Sequence, residues 1–462
     1  MTALVRALRD ICGAQAVLEE RSDLEAYVTD WRGVYTGTAL CVVRPATVHE
    51  TARVVAACRE HGAVVVPQGG NTGLAAGATP LALSNAVIVS LSRMRTVRSV
   101  DAPGCTLAVD AGCVLADVQE TARAAGRLFP LALAAQGSAQ IGGLIATNAG
   151  GTAVLRYGSM RSLVLGLEVV LADGTIVDGM RALRKDNAGY DWKQLFIGSE
   201  GTLGVITGAV LRLFPTVRSS VTALAGCGTA QAAMDAFALL NESLGETLSA
   251  CELFHDDAVQ LRCAYDPSLV RPMPASPWYL LLEAGSSLRS LSEAVEAGLE
   301  RAVERGFVDD CVVAGTSAQA RALWEWRESI SESEKRSGPS AKHDVSVPVS
   351  AIPAFLERAA SAVVERHPGV RVLPFGHAGD GNIHFNVLLP GDGSVDAASV
   401  NATVHAIVAE FRGSITAEHG IGRYRRDELP EHRSDAEMRV LRAIKHALDP
   451  DGRMNPGAML AI

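Results

Sequence analysis

Three long glycine-rich stretches, each set beside a strand-like apolar run, constrain this chain more than any other feature. Pro67-Gln-Gly-Gly-Asn-Thr-Gly73 follows directly on Ala63-Val-Val-Val-Pro67. Gly137-Ser-Ala-Gln-Ile-Gly-Gly143 runs on to Thr147-Asn-Ala-Gly-Gly151, and Gly198-Ser-Glu-Gly-Thr-Leu-Gly204 completes the set. Glycine lets successive backbone N–H groups turn toward one point and lets a phosphate approach with no Cβ in the way. A single loop of this kind is an ordinary turn; three point to a large phosphate-bearing cofactor. No G-x-G-x-x-G and no Gly-Lys dipeptide occurs, which removes a P-loop and disfavours NAD in a standard Rossmann site.

The second constraint lies near the other end. His377-Ala-Gly-Asp-Gly-Asn-Ile-His384 is followed by Asn386, and Glu418-His419-Gly420-Ile421-Gly422 comes some thirty residues later. On one straight strand His377 and His384 would face opposite sides. Gly379-Asp-Gly381 can fold the chain between them and bring both rings together. His384 and Asn386 share a face of the strand that this pattern predicts. Two histidines and a glutamate with one position left open form the ligand set of a catalytic zinc or similar divalent ion.

Length sets the frame for both features. At 462 residues the chain exceeds one ordinary core, so two or three domains are expected. The balance of 48% apolar and 20% charged residues is that of a globular protein. A net charge of −9 argues against a nucleic-acid or anionic-membrane partner. The nine cysteines are scattered without any C-x-x-C, so neither an iron–sulfur cluster nor a disulfide framework is expected. No signal peptide and no run of ~20 apolar residues is visible, and a cytoplasmic protein is the expectation.

Residues 1–37 read as a helical, then loop-like, lead-in. Thr47-Val-His-Glu50 predicts a capping box and a helix after it. Strands are expected at 63–67, 86–91 and 106–110, a helix at 114–125, and an Asp173-Gly174 hairpin between 166–171 and 175–177. Strands and helices mix without regular alternation, so the fold class is α+β. Near 216 the pattern changes to long helical stretches (228–245, 289–305, 316–335) that separate strands such as 278–283.

Taken together, Pro67–Gly73, Gly137–Gly151, Arg156-Tyr-Gly-Ser159, Asp186-Asn-Ala-Gly-Tyr-Asp191 and Gly198–Thr207 resemble the FAD domain of the vanillyl-alcohol-oxidase superfamily. Within it the chain is most similar to the D-2-hydroxyacid dehydrogenases, from about residue 38 to 457. The resemblance implies a two-part PCMH-type FAD-binding domain at 38–216. A substrate or cap domain with an antiparallel sheet then occupies 217–462, its last segment returning toward the flavin. It implies FAD held by Pro67, Gly69, Gly70, Asn71, Thr72, Gly73 and Gly77. Gln136, Gly137, Ser138, Gly142, Gly143, Thr147, Asn148, Gly150 and Gly151 add the second group of contacts. Glu200, Gly201, Gly204, Val205, Ile206 and Asn455 complete the set. No histidine lies between His61 and His255, so the flavin is expected to be non-covalent.

The resemblance further implies that His377, His384 and Glu418 hold the metal and that His419 is the catalytic base, with Asn386 near the substrate. Arg327, Ser331 and Lys342 would bind the substrate carboxylate; Ser331 stands where threonine is common. The implied reaction is oxidation of a D-2-hydroxy acid, with D-2-hydroxyglutarate or D-malate leading and D-lactate next. Electrons would pass to an electron-transfer flavoprotein, a quinone or a cytochrome rather than NAD. A homodimer and a peripheral place beside a membrane electron-transport chain are both compatible with this. Two readings from other classes stand beside it: a zinc hydrolase, which leaves the glycine loops unexplained, and a flavin-binding subunit without catalysis of its own.

Overall fold

The computed structural model describes residues 2–461 other than 267 and 289. Its contacts divide the chain into two compact units: Met1–Gly151 with Gly158–Thr216 and Glu418–Ile462, and Thr152–Tyr157 with Val217–Ala417.

The first unit holds two main sheets. In one, Cys41–Val43, Ala86–Ser90 and Val64–Gln68 lie parallel, with Val17–Leu18 antiparallel at the edge. The helix Val48–Glu60 carries the chain across from the first of these strands to Val64–Gln68, leaving the gap that Ala86–Ser90 fills. All of Ala86–Ser90 is buried, as expected of a strand covered on both faces. Thr47 caps that helix, its hydroxyl accepting from the Glu50 amide. The Glu50 carboxylate bonds the amide of Ala46 rather than that of Thr47, so the reciprocal half of the expected box is shifted by one residue.

The other sheet is antiparallel, in the order Val97–Asp101, Thr106–Asp110, Val205–Arg212, Val164–Val170, Ile176–Gly179. Its hairpin is wider than a two-residue Asp-Gly turn. The Leu171 amide bonds the Thr175 carbonyl, and Gly174 takes a φ of 88°. The Asp173 carboxylate accepts from the Thr175 amide, the local bond that makes aspartate a turn residue.

The second unit is built on one antiparallel sheet running Asp310–Val313, Ser219–Cys227, Trp278–Ser286, Leu248–His255, Arg371–His377, Asn382–Leu388, Ser340–Ala341, with Asp344–Ser346 also paired to Asn382–Leu388. Helices Ala230–Leu244 and Leu291–Glu304 pack together and against it. Leu224, Phe254, Tyr279, Leu281, Leu323, Trp326 and Phe375 form a core cluster with Ile330. The expected helix at 316–335 is two helices, Ser317–Glu328 and Ile330–Ser337, divided at Ser329.

In the first unit, the returning C-terminal segment is pinned by a buried ammonium. Lys445 donates to the carbonyls of Thr202 and Met454 and to the Asp449 carboxylate. Burial pushes its pKa down, and Asp449 opposes the shift. Removing one member of a buried pair strands the other. Lys445→Met should therefore destabilise the protein by about 3–5 kcal/mol, seen as a lower urea midpoint. An unchanged midpoint would show that Asp449 finds another partner.

Candidate active site

In the first unit the glycine loops enclose an open cleft of about 960 Å³. Pro67, Gly69, Gly70, Asn71, Thr72, Gly73, Gly77, Gly142, Gly143, Thr147, Glu200, Gly201, Gly204, Val205 and Ile206 line it. Gln68, Leu91, Ala111, Gln140, Leu144 and His419 are among the further wall residues. Gln136, Gly137, Ser138, Asn148, Gly150, Gly151 and Asn455 are not on the wall. Several of them shape it instead. A Cβ on Gly70 would lie 2.0 Å from the Ser138 carbonyl oxygen, and one on Gly151 would lie 2.1 Å from that of Ala132. The Asn148 carboxamide accepts from Ser159 and the Arg161 amide. Asn455 donates to the carbonyls of Gly77 and Glu200.

Asn71, in the left-handed region at φ 53°, spends its amide on the carbonyls of Ala26 and Thr29. The first loop is thereby tied to the lead-in segment. One wall atom, the buried Oε1 of Gln140, has no protein partner among the described residues. The size, the largely apolar wall and this acceptor suit an extended nucleotide cofactor.

Glu200 joins this cleft to the segment that follows residue 417. Its carboxylate accepts from the amides of Ile421 at 2.9 Å and Gly422 at 2.8 Å. A Cβ on Gly420 would approach the Glu200 Oε1 to 2.7 Å, and one on Gly422 would approach the Ala75 carbonyl oxygen to 1.9 Å. Both glycines have positive φ, 79° and 55°. Glu418-His419-Gly420-Ile421-Gly422 is thus wrapped around one carboxylate. Burial pushes the Glu200 pKa up to about 7, against the two amides and Arg423. His419 comes out of this loop half-buried on the cleft wall, its Nε2 3.6 Å from the Glu418 carboxylate.

In the second unit the sheet register does the gathering. Phe375 lies opposite His384, and His377 opposite both Asn382 and Glu252. The Gly379–Gly381 turn therefore brings the His377 and His384 rings to 5.6 Å, centroid to centroid. Glu252 is fully buried. Its Oε1 lies 2.5 Å from His377 Nδ1 and its Oε2 2.7 Å from Arg327 Nε. Burial would raise its pKa, but Arg327 and then His377 hold it down at about 2.

Arg327 stacks over the Phe375 ring at 4.7 Å. Among the described residues neither of its terminal nitrogens takes part in a hydrogen bond or ion pair. A second buried carboxylate, Glu334, accepts from Asn386 at 2.7 Å and lies 3.4 Å from the Lys342 ammonium. The third, Asp344, accepts from Asn382 and lies 3.9 Å from His384 Nδ1. Ser331 is exposed.

Two family models match the chain: an FAD binding domain over residues 39–179 and the C-terminal domain of FAD linked oxidases over 216–459. Among curated proteins, the D-2-hydroxyglutarate dehydrogenase of Stutzerimonas stutzeri is 35% identical over 465 residues, covering 99% of each chain. The mitochondrial D-2-hydroxyglutarate dehydrogenase of Bos taurus is 39% identical over 448 residues, covering 96% of this chain and 81% of its own. The chain belongs to the FAD-dependent D-2-hydroxyacid dehydrogenase family. Two solved structures share the fold. An alkyldihydroxyacetonephosphate synthase has a TM-score of 0.77 at 16% identity, over 99% of this chain and 84% of its own. A p-cresol methylhydroxylase has 0.74 at 16%, over 99% and 96%.

This dehydrogenase family member is thus an FAD-dependent oxidoreductase. What sequence reading missed in it are the supporting carboxylates Glu252, Glu334 and Asp344. The one local signal was a charged residue inside an otherwise apolar strand, Cys251-Glu252-Leu253-Phe254, which demands a partner when buried.

The raised pKa of Glu200 has a testable sign. The folded chain keeps this proton up to about pH 7, whereas an unfolded carboxyl releases it near 4.5, so folding stability falls as pH rises across that window. Glu200→Gln removes the ionisation. Its apoprotein should gain stability relative to wild type as pH rises from about 4.5 to about 7, read as diverging melting temperatures. A pH-independent difference would place the Glu200 pKa at its ordinary value.

Proposed function

We propose that this enzyme oxidises D-2-hydroxyglutarate to the 2-oxo acid and passes the electrons to an acceptor other than NAD. The observation that carries it is the pairing of Arg327, with an open guanidinium fork, and the His377–His384 pair across a single carboxylate. Such a fork grips a carboxylate bidentately, and the Lys342 ammonium adds a point charge. The relatives named D-2-hydroxyglutarate dehydrogenase supply the choice of acid. D-Malate and D-lactate present the same hydroxy-acid group and are the competing substrates.

FAD, held without a covalent link by the residues on the cleft wall, supplies a two-electron acceptor for the hydrogen on C2. His377, His384 and Glu418 are the proposed ligands of a divalent ion, zinc foremost, which would supply a Lewis acid that lowers the pKa of the substrate hydroxyl. Two local observations support this ligand set. The Nδ1 of His377 is engaged by Glu252, which leaves Nε2 as the donor. The Ala417 amide bonds the Asp344 carbonyl at 3.0 Å, and Asp344 lies opposite His384. Glu418 is the next residue, so its Cα follows within about 3.8 Å of that of Ala417.

His419 takes the hydroxyl proton on an imidazole nitrogen as the C2 hydrogen leaves with its electron pair. Asn386, fixed by Glu334 and by the His343 amide, orients the acid, with Ser331 four residues after Arg327 in the sequence. The acceptor is an electron-transfer flavoprotein, quinone or cytochrome. No helix among the described residues is long and apolar enough to cross a membrane, and a cytoplasmic location fits that.

His419→Ala tests the assignment of the base. The variant should keep its flavin but be reduced by D-2-hydroxyglutarate about 10²-fold more slowly, measured by anaerobic stopped flow. Near-wild-type reduction would remove His419 from the reaction.

A further inference from the structure

We propose that Glu252 is a positioning residue that couples metal binding to recognition of the substrate carboxylate; this rests on the reading of His377 as ligand and Arg327 as carboxylate clamp. A fully buried carboxylate such as Glu252 needs partners, because an isolated charge in an apolar interior is strongly unfavourable. Here one oxygen faces His377 Nδ1 at 2.5 Å and the other Arg327 Nε at 2.7 Å.

Each bond has its own consequence. The carboxylate fixes the His377 tautomer with the proton on Nδ1, which leaves the lone pair on Nε2 and makes it a stronger donor. It also fixes Arg327 by Nε alone, which leaves the two terminal nitrogens as a fork for an incoming carboxylate. Phe375 packs against Arg327 and His384 in the same arrangement. The guanidinium stacks on its ring at 4.7 Å, and the His384 ring lies 5.0 Å from it. Loss of the Glu252 charge should therefore disturb the metal ligand and the anion clamp together, without touching the flavin cleft.

Glu252→Gln keeps the size of the side chain but sets its NH2 against one of two existing donors. In FAD-loaded protein we expect unchanged flavin content and a dissociation constant for Zn²⁺, by equilibrium dialysis, weakened about 10- to 100-fold. KM for D-2-hydroxyglutarate should rise more than kcat falls. Glu252→Asp, which keeps the charge, should recover part of both constants and carries the test if the Gln variant does not fold. Wild-type Zn²⁺ affinity in the Gln variant, or movement of only one constant, would overturn the coupling. Wild-type protein that binds no Zn²⁺, or His377→Ala that binds it normally, would instead overturn the underlying site reading.

Discussion

Carboxylates buried behind a polar face are the constraint around which the second unit is organised. Glu252 and Glu334 are fully buried and Asp344 nearly so, and none can stay charged there without a partner. Their partners are Arg327 and His377, Lys342 and Asn386, and Asn382 beside His384. The need to neutralise these carboxylates thus holds the residues proposed for metal and substrate in fixed orientations. Rigid backing of this kind is what a site must have before chemistry begins, because misplacement by about 1 Å can cost 10²-fold in rate.

The first unit solves a related problem with one side chain. Glu200 satisfies two amides of the loop that carries His419, and the glycines at 420 and 422 exist in the space its carboxylate and the Ala75 carbonyl leave. The loop that carries the proposed base His419 is therefore shaped by a residue on the cleft wall. Lys445 anchors the same C-terminal segment to the third glycine loop at Thr202. The glycine-loop cleft and the His419 loop are held within one set of contacts.

Much of this was legible in the sequence because it is local. The glycine loops announce themselves by composition, and Gly379-Asp-Gly381 announces the turn that pairs His377 with His384. The strands at 86–90 and 106–110 and the helix at 115–124 follow from apolar period. The hairpin after Val170 differed by one residue because a wider turn satisfies Asp173 equally well. The helical stretch after 316 breaks at Ser329, which the apolar pattern does not mark. Glu252 was illegible for a different reason: its partner His377 lies 125 residues away, and only sheet register puts them opposite each other. Asn71 lines the cleft, and its amide is also directed at the lead-in segment, a bond no local pattern records.

In the proposed reaction a D-2-hydroxy acid delivers electrons directly to the flavin. This step is tested most directly by the visible spectrum of the purified, FAD-loaded enzyme without oxygen, before and after D-2-hydroxyglutarate or its L-enantiomer is added. The D-acid should bleach the flavin absorbance while the L-acid leaves it unchanged. Flavin that no 2-hydroxy acid bleaches, or that both enantiomers bleach alike, would contradict it.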